Sequence, residues 1–320
     1  MGSILDIRYA ELRFTARVIS DSTLPETKSS AIRGGMGNML LDEYCVREQF
    51  RKESKDNCKE CDFYDECTVQ RIMYSHMDIV PSFMSQGEGV GYIVECLDRK
   101  THYKAGDEFR FSLILFGKAC VYLSQYLSAI YRLGIKGLGK DEAQFEIAEI
   151  RNQRNENILE DGSIYKEKYR IETLDNYVDW RLNKLDITNK IHISFKTPVA
   201  IKKEGKILEE LDAESFINNL NRRIYMFNCY EGRDISEKIF DGVLNEVRLL
   251  AAEYNSKDVK RYSNRKRQTI KLGGIVGNMV LDISGVSDKE GLLRKLLAGE
   301  IIHVGSNTRF GFGGYEVNSL

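Results

Sequence analysis

Hydrophobic periodicity switches between two residues and about 3.6 residues in the same order twice along this chain, and that order leaves few folds open. Residues 5–19 alternate as a strand through Leu5, Ile7, Tyr9, Leu12, Phe14, Ala16 and Val18, until Pro25 and its polar neighbours break the pattern. A helix is expected from Ser29 or Ser30 to about Cys45, strands at 90–97 and 108–116, an amphipathic helix at 119–133 and a strand at 143–150. Strand, helix, strand, strand, helix, strand is the ferredoxin-like split βαβ arrangement. The second half repeats it, with a strand at 190–202, helical stretches at 212–229 and 235–254, strands at 258–272 and 275–283, a helix at 289–298 and a strand near 310–318. The expected class is α+β, with two tandem ferredoxin-like (RRM-like) domains over 1–150 and 187–320. The polar stretch 151–186, rich in Asn, Glu and Lys, reads as a linker or insertion. A length of 320 residues suits two domains of about 150 each.

The chain carries 47 basic and 48 acidic side chains, so overall charge argues neither for nor against nucleic acid. Local charge does. Lys257, Lys260, Arg261, Arg265, Lys266, Arg267 and Lys271 fall within residues 257–271, and Tyr262 interleaves an aromatic ring among the cations. Phosphates with one stacked base would suit that run, so RNA contact is expected at Lys260, Arg261, Tyr262, Arg265, Lys266 and Arg267. The apolar run Phe111 to Phe116 is far too short to span a bilayer, and Asp6, Arg8 and Glu11 stand where a signal peptide would be apolar. No membrane association and a cytoplasmic location are expected.

Seven cysteines without an export signal read as thiols or metal ligands rather than disulfides. Cys45, Cys58, Cys61 and Cys67 form C-x12-C-x2-C-x5-C in a stretch otherwise too polar to bury them. The C-x2-C knuckle lets two thiolates reach one ion, and four soft ligands close a tetrahedral site. A cysteine-rich metal-binding insertion at about 45–75 of the first domain is therefore expected. Structural zinc is the first choice and an iron–sulfur cluster the second, with His76 able to replace one cysteine. Four ligands leave no open position, so no catalytic metal is expected.

At the C-terminus, His303 adjoins a glycine-rich, cationic loop. Gly305, Gly311 and Gly313 allow close backbone approach, Arg309 supplies a fixed charge, and Ser306, Asn307 and Thr308 supply neutral donors. His192 reads as a face residue of its strand and His102 as a loop residue, which leaves His303 as the candidate proton carrier. Two glycine patterns are set aside. Gly134, Gly139 and Lys140 mimic a phosphate-binding loop, but Asp141 stands where Ser or Thr must hold magnesium; Gly87, Gly89 and Gly91 lead into a strand rather than a helix.

Several of these segments occur together in a known order: Ala31 to Gly37, the four cysteines, Phe116 to Ala119, Gly134 to Gly139, Arg261 to Arg265, Leu272 to Gly277, and His303 to Tyr315. In that order the chain resembles the CRISPR precursor-RNA processing endoribonucleases of the RAMP superfamily. The resemblance implies two ferredoxin-like domains and cleavage of CRISPR repeat RNA to release guide RNAs, with subunits of a CRISPR effector complex as further partners. It also implies metal-independent chemistry, in which the 2′-hydroxyl attacks the adjacent phosphate and leaves a 2′,3′-cyclic phosphate and a 5′-hydroxyl. Proton transfer in such enzymes usually falls to a histidine of the first helix region. This chain has none between residues 1 and 75, which moves the expected role to His303, with Arg309 or Lys266 offsetting phosphate charge. The alternatives are a catalytically inactive RNA-binding subunit of an effector complex, and an iron–sulfur redox or sensor protein built on the cysteines.

Overall fold

The computed structural model describes residues 2–47, 58, 61–84, 89–186, 188–235, 239, 246–263 and 268–319. Its first sheet contains β1 (Arg8–Val18), β2 (Tyr92–Glu95), β3 (Glu108–Phe116) and β4 (Phe145–Asn152) in the spatial order β2-β3-β1-β4, every neighbour antiparallel. Leu12, Phe14, Ala16 and Val18 of β1 point to one face, while Arg13 and Arg17 point to the other, as a period of two requires. The apolar face is covered by α1 (Lys28–Tyr44), through Ile32, Met36, Met39 and Leu40, and by α3 (Leu123–Lys136), through Tyr126, Leu127, Ile130 and Leu133; the short α2 (Thr68–Tyr74) completes the layer. The i, i+3, i+4 and i+7 spacing of these side chains makes each helix one-sided.

Residues 151–186 are tied to both halves. β5 (Glu172–Thr173) pairs with β1, and α4 (Leu174–Leu182) packs against a helix of the second half. The fastening is Arg181, whose Nε and Nη2 each lie 2.9 Å from a Glu300 carboxylate oxygen, with Tyr177 Oη (2.6 Å) and the Val317 amide (2.7 Å) donating to the same group. Every oxygen of that nearly buried carboxylate is satisfied, which is the condition for a buried ion pair to hold.

The second sheet repeats the first, with β6 (Lys190–Val199), β7 (Arg248–Ser263), β8 (Gln268–Asp282) and β9 (Tyr315–Ser319) in the order β7-β8-β6-β9. Two helices cover it, α5 (Ala213–Tyr230) and α6 (Lys289–Ile302), capped by Asp212 and Asp288, each accepting from an amide three residues on. Its core, around Ile193, Phe216, Leu220, Phe227 and Leu296, continues without a break to Leu5, Ile7, Tyr9, Ile93, Ile114 and Phe116 of the first half. Phe116 and Phe227 lie 4.5 Å apart between ring centroids.

Three sequence expectations are corrected. The helix expected to reach residue 254 gives way to β7 from Arg248, because Leu249, Ala251 and Ala252 pair with Leu281, Val280 and Met279; tertiary pairing overrides their helix propensity. The break expected between 272 and 275 is absent, since β8 runs through Gly273 and Gly274. A side chain on Gly274 would crowd Pro198 and Val199, so that glycine serves the approach of β6 rather than a turn. The C-terminal strand begins at Tyr315, after a 3-10 turn at Thr308–Phe310.

Candidate nucleic-acid interface

α6 ends at His303, whose φ of 57° turns the chain out of the helix. From there the glycine loop is bound into the protein on every side. Gly305 N donates to Asn219 (2.6 Å), Ser306 N to the Ala200 carbonyl (2.8 Å), Gly313 N to Pro198 (2.9 Å) and Gly314 N to Thr197 Oγ1 (2.8 Å), so the irregular end of β6 holds both arms of the loop. Phe310 N and Gly311 N close turns onto Asn307 and Thr308. Gly311 and Gly313, with φ of 78° and 79°, sit against the Val94 and Val304 carbonyls, where a Cβ would collide. These glycines and amides are therefore spent on internal packing, whereas the expected loop would have offered them to a phosphate. Thr308 is buried, and Arg309 donates from Nη1 to the Met73 carbonyl at 2.5 Å, tying the loop to the first half; Ser306 and Asn307 stay half-exposed.

His303 is 1% exposed. A carbonyl cannot donate, so the 2.8 Å contact with Phe312 O makes Nδ1 the protonated nitrogen. Nε2 faces Glu95 at 3.8 Å, too far for a hydrogen bond. Burial pushes the imidazole down to about 4, and burial with the neighbouring Glu11 pushes Glu95 up to about 7. The ring is neutral near pH 7 and walled off from solvent, so as it stands it holds the loop and reaches no phosphate. His192, half-exposed on β6, contacts Ser194, and His102 is exposed beside Thr23.

The basic run divides between two faces of β7. Val259 turns inward to Ala200 and Phe312, and Arg261, two residues on, lies over Phe310 of the loop; Lys260 faces outward. Lys260 is paired in register with Lys271, a like-charge juxtaposition that an anion would relieve. Lys271 also reaches Asp258 (2.8 Å), and Lys257 approaches Glu26 (3.7 Å). Arg265, Lys266, Arg267 and the side chain of Tyr262 lie outside the described residues. Sequence reasoning missed the exposed Lys202, Lys203 and Lys206, on a small hairpin that follows β6 and is closed by a Glu204-Gly205 turn of positive φ. It also missed Arg33 of α1 as a site residue. Arg33 lies over Phe310 and donates from Nε to Tyr92 Oη at 3.1 Å. An open groove of about 850 Å³ on the polar face of the first sheet mixes Arg13, Arg110 and Arg151 with Glu95, Glu108 and Glu149, so it has no net pull on an anion.

Of the cysteines, Cys45 follows α1 and Cys67 caps α2, while Cys58 and Cys61 share a turn between them. All four are half-buried. Among the described residues no three His, Cys, Asp or Glu side chains are gathered as a metal site, so the expected ligand set is bracketed by the two helices without being assembled. None of the helices among the described residues is long and apolar enough to cross a membrane.

Two family models match the chain: the N-terminal domain model AF_1859_N over residues 7–176, and the CRISPR-associated endoribonuclease Cas6 model over residues 193–315. Among curated proteins none matches. Among solved structures, a partial Cas6-RT-Cas1–Cas2 complex is similar over 99% of this chain at TM-score 0.62 and 14% identity, and the chain spans 48% of that protein; in the fuller Cas6-RT-Cas1–Cas2 complex it spans 30%. Thermus thermophilus Cas6 is similar over 99% of this chain and all of its own, at TM-score 0.53 and 11% identity. A Cas6 product complex is similar over 98% of this chain and all of its own, at TM-score 0.53 and 14% identity. At such identities the likeness is one of fold.

Proposed function

We propose that the chain is a member of the Cas6 family of CRISPR-associated endoribonucleases, whose model matches residues 193–315, and that it cuts CRISPR repeat RNA to release guide RNAs in the cytoplasm. The observation that carries this reading is that the matched span, 193–315, contains both the basic hairpin and the glycine loop it packs on. The order of both sheets supports two ferredoxin-like domains, 1–150 and 187–320, with residues 151–186 between them.

The proposed reaction needs no metal. The 2′-oxygen bonds to phosphorus as the bond to the 5′-oxygen breaks; the 2′-hydroxyl proton leaves to a base and the departing 5′-oxygen takes up a proton. The products are a 2′,3′-cyclic phosphate and a 5′-hydroxyl. Charge on the phosphorane is offset by cations, and RNA is held along Lys260, Arg261 and residues 262–267. His303 holds the loop in this reading. Its burial, with no histidine before residue 76, favours a second reading in which the chain binds repeat RNA for an effector complex without cutting it. One assay separates the two: incubation with repeat RNA in excess EDTA. Cleavage with a 5′-hydroxyl product supports the enzyme; tight binding without product supports the second reading, and magnesium-dependent cutting by folded protein overturns the mechanism.

Spacing also supports a structural zinc at Cys45, Cys58, Cys61 and Cys67. One zinc per chain, and a lower melting temperature in Cys61→Ser, are expected. A brown protein with iron would mean the cluster instead.

A further inference from the structure

Phe310, at the tip of the glycine loop, carries two guanidiniums: Arg261 Cζ lies 4.4 Å and Arg33 Cζ 5.2 Å from its ring centroid. The two arginines come from opposite halves of the chain, Arg33 from α1 and Arg261 from β7. Neither has a carboxylate partner among the described residues, and Arg33 donates to the Tyr92 hydroxyl. Arg261 Nε is buried with no acceptor among the described residues. A buried donor left unpaired destabilises the protein that carries it, and so does a second cation held beside the first. Burial and Arg33 both push the Arg261 guanidinium down, which is the mark of a site short of negative charge.

Packing alone would not select this arrangement. One cation over an aromatic face is favourable, but a second shares the same ring and adds repulsion. A phosphodiester supplies what is missing, because it offers anionic oxygens to both forks and an acceptor to Nε. Arg309, the arginine read from sequence as the loop's phosphate ligand, is engaged with Met73 instead.

We infer that Arg33 and Arg261, spaced by Phe310, form the clamp for the RNA phosphate that is cut, and that bound RNA joins the two halves of the chain through this pair. This inference rests on the endoribonuclease reading above. Within it the pair stabilises charge on the phosphorane, and Phe310 acts as a spacer whose ring is taken by cations and is not offered to a base.

The test uses the full chain, Arg33→Gln and Arg261→Gln, and Arg154→Gln as a control, an exposed arginine already paired with Glu172. Each is assayed with the repeat RNA for single-turnover cleavage at saturating protein, and with the same RNA carrying a 2′-deoxy nucleotide at the cut for binding against salt. Each clamp variant should cut roughly 100-fold more slowly or worse. The slope of log affinity against log salt should also drop by about one for each clamp variant and stay unchanged in the control. Arg33→Lys and Arg261→Lys, which keep charge without the fork, should restore the salt slope but only part of the rate. Folded variants with the parental rate and slope overturn the clamp while leaving the endoribonuclease reading intact. If the parent binds RNA without cutting it, that reading fails, and the salt slopes alone still decide whether the pair holds phosphate.

Discussion

The two halves of this molecule share one strand order and differ most in their middle hairpins. In the first half β2 has four residues and β3 nine; in the second, β7 has sixteen and β8 fifteen. Pairing of β8 with β6 extends to Val199 and Ile275, so everything beyond Ser256 and Ile275 projects past the sheet as an arm. That excess length carries Lys257, Lys260, Arg261 and Lys271, and its inner face packs on the glycine loop. What the fold requires is the same in both halves, and the proposed function sits in what the second half adds.

The largest effect should come from cutting the second hairpin back toward the length of the first. Replacing residues 257–274 by a two-residue turn should lower affinity for repeat RNA by roughly 100-fold or more, since several phosphate contacts vanish together. The protein should still melt cooperatively. Retained affinity would break the comparison.

A smaller effect is expected where the arm leaves the sheet. Gly277 has φ of 131°, and a Cβ there would collide with the Glu253 carbonyl. Gly277→Ala should destabilise the fold by roughly 1–3 kcal/mol in chemical denaturation, while β3, which contains no glycine, has no equivalent position.

The loop under the arm should show its burial as pH dependence. His303 is held below its ordinary value, so its contribution is complete above about 6.5 and is lost as pH falls toward 4. Glu95 is held above its ordinary value, so its contribution is complete below about 4.5 and is lost as pH rises through 7. The two oppose each other in the parent. Glu95→Gln should therefore melt several degrees lower at pH 4.5 than at pH 6.5, and above the parent at pH 8. A flat profile in that variant would show that His303 is not closed off.

The smallest change is expected at Lys271→Gln, which removes an exposed ion pair with Asp258. Stability should shift by less than about 1 kcal/mol, whereas the salt dependence of RNA binding should fall measurably if the outer face of the arm meets phosphate.

Much of the fold was legible because burial on one face writes itself into period. The alternation through Leu12, Phe14, Ala16 and Val18 sets β1, and Ile32, Met36 and Leu40 set α1. Legibility failed at Leu249 to Ala252, where local propensity favours helix and a distant strand decides otherwise, and at Gly274, where a turn residue serves a close approach. In the site, the fold brings together two segments that the sequence singled out, the basic arm and the glycine loop. His303 looked catalytic because glycines follow it, yet those glycines close the loop over the ring.

By itself, then, the amino-acid sequence determined most of the order of elements and the faces they bury, since these depend on which residues are apolar and at what spacing. Which arginine is free to meet an anion was decided only in three dimensions. Arg309 and Arg261 both read as phosphate ligands, but the fold gives Arg309 a backbone carbonyl and, among the described residues, leaves Arg261 Nε without an acceptor. Arg33, more than 200 residues away in sequence, then joins Arg261 at one ring. Charge is a property of a residue, whereas an unsatisfied charge is a property of its neighbours, and chain folding alone supplies those.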